Sequence, residues 1–125
     1  MWRTADEMNE DPHTELSHLY YGNRKGLEDR ILRIRTGKSP ASTPMPRTSH
    51  LVGSVVPLEP PRADALRLHS SWTVQVFFPR QKLQHVYFGT SEHLLERVDG
   101  AWRIRKKRVA LLNDYIPSML DVYCI

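Results

Sequence analysis

Few side chains in this sequence could do chemistry. It carries six histidines, His13, His18, His50, His69, His85 and His93, and one cysteine, Cys124. A two-histidine, one-carboxylate iron site needs its ligands together on one open face. Two sets come nearest by spacing: His85 and His93 with Glu92, and His50 with His69. His85 and His93 lie on one strand-like run and share a face only if Gly89, between them, leaves the alternation intact. General acid–base work from inside a cavity is the second chemistry, with His18, His69 and His85 as candidates. No Asp partner can be assigned, because Asp99 and Asp114 fall at turn or corner positions. The plain alternative is that these histidines are ordinary strand and loop residues donating to backbone carbonyls. A single cysteine excludes an internal disulfide, a cysteine-based zinc site and an iron–sulfur cluster held by this chain alone. There is no Gly-rich phosphate loop, nucleophile elbow or Walker motif.

The elements that must position these residues are legible from punctuation and periodicity. Asp99-Gly100 predicts a type I′ turn, since both central residues need positive φ. That turn sets Val98 against Ala101, Arg97 against Trp102, Glu96 against Arg103 and Leu95 against Ile104. Leu95, Trp102 and Ile104 then share a face meant for a core, while Glu96 and Arg103 meet on the other. Residues 15–21 alternate as a strand covered on both sides. Residues 24–36 form the one clear helix, with Leu27, Ile31 and Ile34 on one stripe, Asn23 as N-cap, Gly37 as stop, and Asp29 to Arg33 as an i,i+4 pair. Three prolines keep 38–48 out of helix and central strand. Strands follow over 49–58, with a bulge at Gly53 and an exit at Pro57, over 65–79, and over 83–93, with a bend at Gly89 before the 94–112 hairpin. One helix followed by long antiparallel strands predicts an α+β domain with a curved sheet, undivided over 1–125.

Composition bounds the function. At 125 residues the chain can bury roughly two thirds of its unfolded surface. The formal charge of +4 rests on two clusters, Arg30, Arg33 and Arg35, and Arg103, Arg105, Lys106, Lys107 and Arg108. Nucleic-acid binders interleave such cations with stacking aromatics. Near the second cluster only Trp102 qualifies, and the hairpin puts it on the core face, so the cations read as a solvated strand face plus subunit salt bridges. No apolar run reaches a membrane span, residues 1–15 lack the apolar core of a signal peptide, and the lone cysteine fits a reducing cytoplasm.

The run DGAWRIRKKRVALLND, with IPSMLDVYCI closing the chain, resembles the C-terminus of the small (beta) subunit of aromatic-ring-hydroxylating dioxygenases. The stretch EDPHTELSHLYYGNRKGLEDRILRIRTG, continuing into STPMPRTSHLV, is similar to the middle of the same subunits, and most similar to the benzoate, anthranilate and salicylate type. The resemblance implies the cone fold shared with nuclear transport factor 2-like (cystatin-like) proteins. It also implies that the chain begins after the helices that close the cone's mouth, as an N-terminally truncated form with exposed apolar surface and poor stability. A misplaced start, a fragment and a degraded copy are all open.

In that family the large alpha subunit carries the Rieske cluster and the mononuclear iron, and the beta subunit carries neither. The resemblance therefore implies a structural role, with no catalytic, cofactor or metal site in this chain. It implies a beta trimer beneath an alpha trimer, alpha3beta3, fed with electrons by a separate reductase, and no nucleic-acid or membrane partner. Interface residues are expected at Arg47, Arg108, Asn113, Asp114 and Tyr115. The competing reading is a stand-alone cone-fold isomerase or dehydratase using a cavity His.

Overall fold

The computed structural model describes residues 11, 19–37, 39–118 and 120–125. One helix precedes four consecutive antiparallel strands in the order β1-β2-β3-β4. Helix α1 is Arg24–Arg35, and the strands are β1 Arg47–Pro57, β2 Ala65–Phe78, β3 Leu83–Val98 and β4 Ala101–Leu111. The sheet is curved and unclosed, an α+β arrangement as expected. The strand expected over 15–21 lies outside the described residues at 15–18, and residues 19–21 are irregular.

The helix forms as its ends dictate. The Asn23 side chain accepts from the Gly26 amide at 3.1 Å, and Gly37 takes a left-handed φ of +66° just beyond the last turn. The ion pair along it is Arg24–Glu28, four residues apart. Its apolar stripe is only partly covered: no helical residue is buried, and Leu27, Ile31 and Leu32 are exposed.

The turn and hairpin register are as the sequence sets them. Asp99 and Gly100 both have positive φ, at 51° and 78°, and pairs Val98↔Ala101 through Leu95↔Ile104 all form. Glu96 reaches the guanidinium of Arg105 at 3.8 Å, diagonal to its partner Arg103. Two expectations are corrected. Gly89 is not a bend, because β3 runs unbroken from Leu83 to Val98 and its register with β2 is continuous. Glycine is required there because a Cβ would meet the Ala110 carbonyl oxygen at 1.9 Å and the Trp72 ring at 3.2 Å. The bulge in β1 follows Gly53, between Gly53 and Val56, with Ser54 carrying the positive φ. A further bulge, at Arg105 in β4, breaks the register between Leu94 and Leu95.

Alternation gives the sheet a covered and an open face. Trp72, Val74 and Val76 pair with Gly89, Tyr87 and His85, so all six share the covered face. Trp72, Val74, Val76, Tyr87 and Cys124 form the core, and Ile116, Leu120, Tyr123 and Ile125 of the C-terminal segment pack against it. Polar contacts hold that segment in place. The Tyr87 hydroxyl lies 3.2 Å from Ser118 Oγ. Asp121, 1% exposed, accepts from Arg30 through both carboxylate oxygens and from the Val122 amide at 2.8 Å. Arg30, read from sequence as part of a surface cluster, is thus the tie between helix and tail. Away from this core the apolar residues lie open: Leu51 and Val52 on β1 are each 65% exposed.

Candidate functional site

The expected interface residues do not form one patch. Arg47 opens β1, exposed, with its guanidinium 5.9 Å from the Phe77 ring centre. Arg108 lies opposite Glu92 on the same face but at the far edge of the sheet, on β4. Asn113 is committed to the sheet itself. Its Oδ1 accepts from the Phe88 amide and its Nδ2 donates to the Val86 carbonyl, both at 3.1 Å. A side-chain amide here stands in for one more residue of β4, after the Leu112 amide has bonded the Phe88 carbonyl at 3.0 Å. Asp114 and Tyr115 follow on the surface, Tyr115 at 72% exposure.

The histidines separate by strand parity. His85 and His93 share the covered face, as the unbroken register requires, but eight residues of strand put them roughly 26 Å apart. Glu92, between them in number, faces the other way. His50, partner of Val74, is on the covered face, while His69, partner of Glu92, is on the open one. Neither proposed iron set comes together, and among the described residues no three His, Cys, Asp or Glu side chains cluster to hold a metal ion. Of the cavity candidates, His18 lies outside the described residues and His69 faces outward. His85 stacks at a tilt on Phe78, ring centres 5.4 Å apart.

What the structure does assemble is a cleft of about 160 Å³ on the covered face. Ser70, Trp72, Ser91, His50, His93 and Lys107 line it, with Val52 and Ile125 as further apolar wall. The β4 bulge matters to this. It lets Lys107 point to the same face as Ile104 and Trp102, although strict alternation would separate them. Lys107 is paired directly with His93. Burial, and then the Lys107 charge, hold the His93 imidazole below its usual pKa. The Lys107 residue as a whole is exposed, yet desolvation of its ammonium lowers its pKa too. Burial raises the pKa of the Cys124 thiol and of the Tyr87 and Tyr123 phenols, which makes the one cysteine an inert core group. Sequence reasoning missed this cleft because its members come from four strands and an unforeseen bulge. The legible part of the signal was Ser70, which alternation puts among the core positions of β2.

A curved open sheet with its C-terminal tail folded back across one face is an architecture already known. The beta subunit of the benzoate 1,2-dioxygenase from Burkholderia mallei superposes with a TM-score of 0.72 at 36% identity, over 88% of this chain and 70% of that one. The ring hydroxylating beta subunit family matches residues 1–118, and the chain belongs to it. It is 39% identical over 122 residues to the anthranilate 1,2-dioxygenase small subunit of Acinetobacter baylyi, covering 98% of this chain and 73% of that protein. It is 38% identical over 123 residues to the toluate 1,2-dioxygenase subunit beta of Pseudomonas putida, covering 98% and 74%.

Proposed function

We propose that this chain is the small subunit of an aromatic-ring-hydroxylating dioxygenase that acts on an aromatic acid of the benzoate, anthranilate or toluate kind, and that it serves by packing and not by catalysis. The observation that carries this is the match along nearly the whole chain to small subunits of dioxygenases for such acids. A large subunit is the implied partner. It would hold the Rieske cluster and the mononuclear iron and receive electrons from a separate reductase. Neither group is assigned to this chain, whose described residues bring no three ligands together and whose sequence has one cysteine. An alpha3beta3 assembly with a beta trimer, working in the cytoplasm, is the form proposed. Arg47, Arg108, Asp114 and Tyr115 are the proposed contact residues, with Asn113 acting indirectly by fixing the corner that presents the last two.

Co-expression with the large subunit encoded beside it, followed by native mass measurement, tests this reading. A complex of equal stoichiometry with ring-hydroxylating activity is the expected result, and His85→Ala leaves that activity intact. Turnover by this chain alone, abolished in His85→Ala, would instead establish the cone-fold isomerase or dehydratase.

A further inference from the structure

We propose that the cleft beside Trp72 binds a small carboxylate, with the Ser70–Ser91 hydroxyl pair as its floor and His93 and Lys107 as its charged side. The first observation is a count of hydrogens. Ser70 and Ser91 are 4% and 5% exposed, and their hydroxyls lie 3.1 Å apart. Two hydroxyls carry two hydrogens, and one bond between them uses one. Nothing among the described residues accepts the other. Each hydroxyl has its partner in the other, and the second hydrogen is left for an acceptor that enters the cleft.

The second observation is the charge beside that floor. Lys107 forms no ion pair with a described carboxylate, and its cross-strand partner is the imidazole of His93. His50 on β1 and Ile125, with the terminal carboxylate, are the remaining titratable positions around the cleft. One lysine beside one titratable histidine suits a single negative charge. Both pKa values are lowered, that of His93 by burial and then by the Lys107 charge, that of Lys107 by burial alone. The third observation is shape. The indole of Trp72 already donates to the Thr90 carbonyl at 3.1 Å, so its ring serves as an apolar wall, with Val52 beyond it. At about 160 Å³ the cleft is below the roughly 300 Å³ of a drug-sized site and suits an acid with a short hydrocarbon body.

Such a carboxylate has two sources, a free organic acid or an Asp or Glu side chain of the large subunit. Calorimetric titration of benzoate into the full chain, with benzamide as its neutral counterpart, tests the first. Saturable millimolar binding of benzoate is expected, about tenfold or more weaker for benzamide because a charge-assisted hydrogen bond is lost. Affinity rises as pH falls through 6.5 toward the lowered pKa of His93, because an anion favours the protonated imidazole. Lys107→Met, at an exposed strand position, lowers benzoate affinity about tenfold and leaves the urea midpoint unchanged. For the second source, native mass titration compares the wild-type and Lys107→Met chains against the large subunit. Weakened assembly of the variant, without benzoate binding to the free chain, identifies a partner carboxylate. That arm alone rests on the small-subunit reading. Equal binding of benzamide overturns the proposal. So does Lys107→Met that changes neither benzoate binding nor assembly, which would leave the floor hydroxyl to water.

Discussion

The same face of the sheet ends in two different ways. At one end Val74, Val76 and Tyr87 are wholly buried beneath the C-terminal segment. At the other, Leu95 continues the alternation of β3, and Trp102 and Ile104 join the same face across the β4 bulge toward the hairpin tip, yet Trp102 is 45% and Ile104 63% exposed. Residue type and face are alike at the two ends. The difference is the cover. Residues 116–118 and 120–125 reach the first end, held by Asp121 and Ser118, and no described residue buries the second. Alternation therefore states which face is apolar, and only a second element makes that face a core.

Four measurements break or sharpen this contrast. Tyr87→Ala should cost about 3–5 kcal/mol, the range for emptying a large buried aromatic, read from urea unfolding. Asp121→Ala comes next at about 3 kcal/mol, because it strands the largely buried Arg30 guanidinium and releases the tail from the helix. Its unfolding should show early loss of Trp72 fluorescence protection against a quencher, as the covered end opens. Trp102→Ala should cost less than about 1 kcal/mol in the isolated chain, where its ring is half open. A loss matching that of Tyr87→Ala would mean the hairpin tip is a second core, and the contrast would fail. In complex with the large subunit, the same variant should weaken assembly if the partner supplies the missing cover.

The smallest effect is a pH dependence at the boundary between the two ends. His93 has its pKa lowered from 6.5 by burial and by Lys107. Below 6.5 the unfolded chain therefore binds the proton more readily than the folded one. The His93 contribution to stability is full above that value and declines as pH falls through it toward the lower folded pKa. Urea midpoints measured across this window should fall as pH falls, and His93→Gln should flatten the decline. A midpoint that rises on acidification would contradict the half-buried placement of His93 beside Lys107.

Much of the local structure was legible. Asp99-Gly100 dictated a turn and, through it, the register of the hairpin, because the φ requirement of that turn is met by very few residue pairs. Asn23 and Gly37 marked the helix ends for similarly local reasons. Gly89 was legible as special but for the wrong cause: its demand comes from the Ala110 carbonyl on the neighbouring strand, which no local pattern displays. Arg30 was read as a surface group and Asn113 as an interface residue, and each bonds a distant segment of its own chain. The cleft was invisible because one unpaired residue, Arg105, shifts the parity of β4 and turns Lys107 toward His93.

The sequence by itself determined the turn, the helix caps, the strand faces and, through the order of its segments, the resemblance to dioxygenase small subunits. These depend on φ preferences, hydrogen-bonding side chains and period-two alternation, all of which act within a few residues. Tertiary structure alone decided which half of the apolar face is buried, which arginine is tied down and which polar groups meet beside Trp72. Those outcomes depend on strand register, on a bulge and on the path of the C-terminal segment, where residues far apart in the chain come within hydrogen-bonding distance.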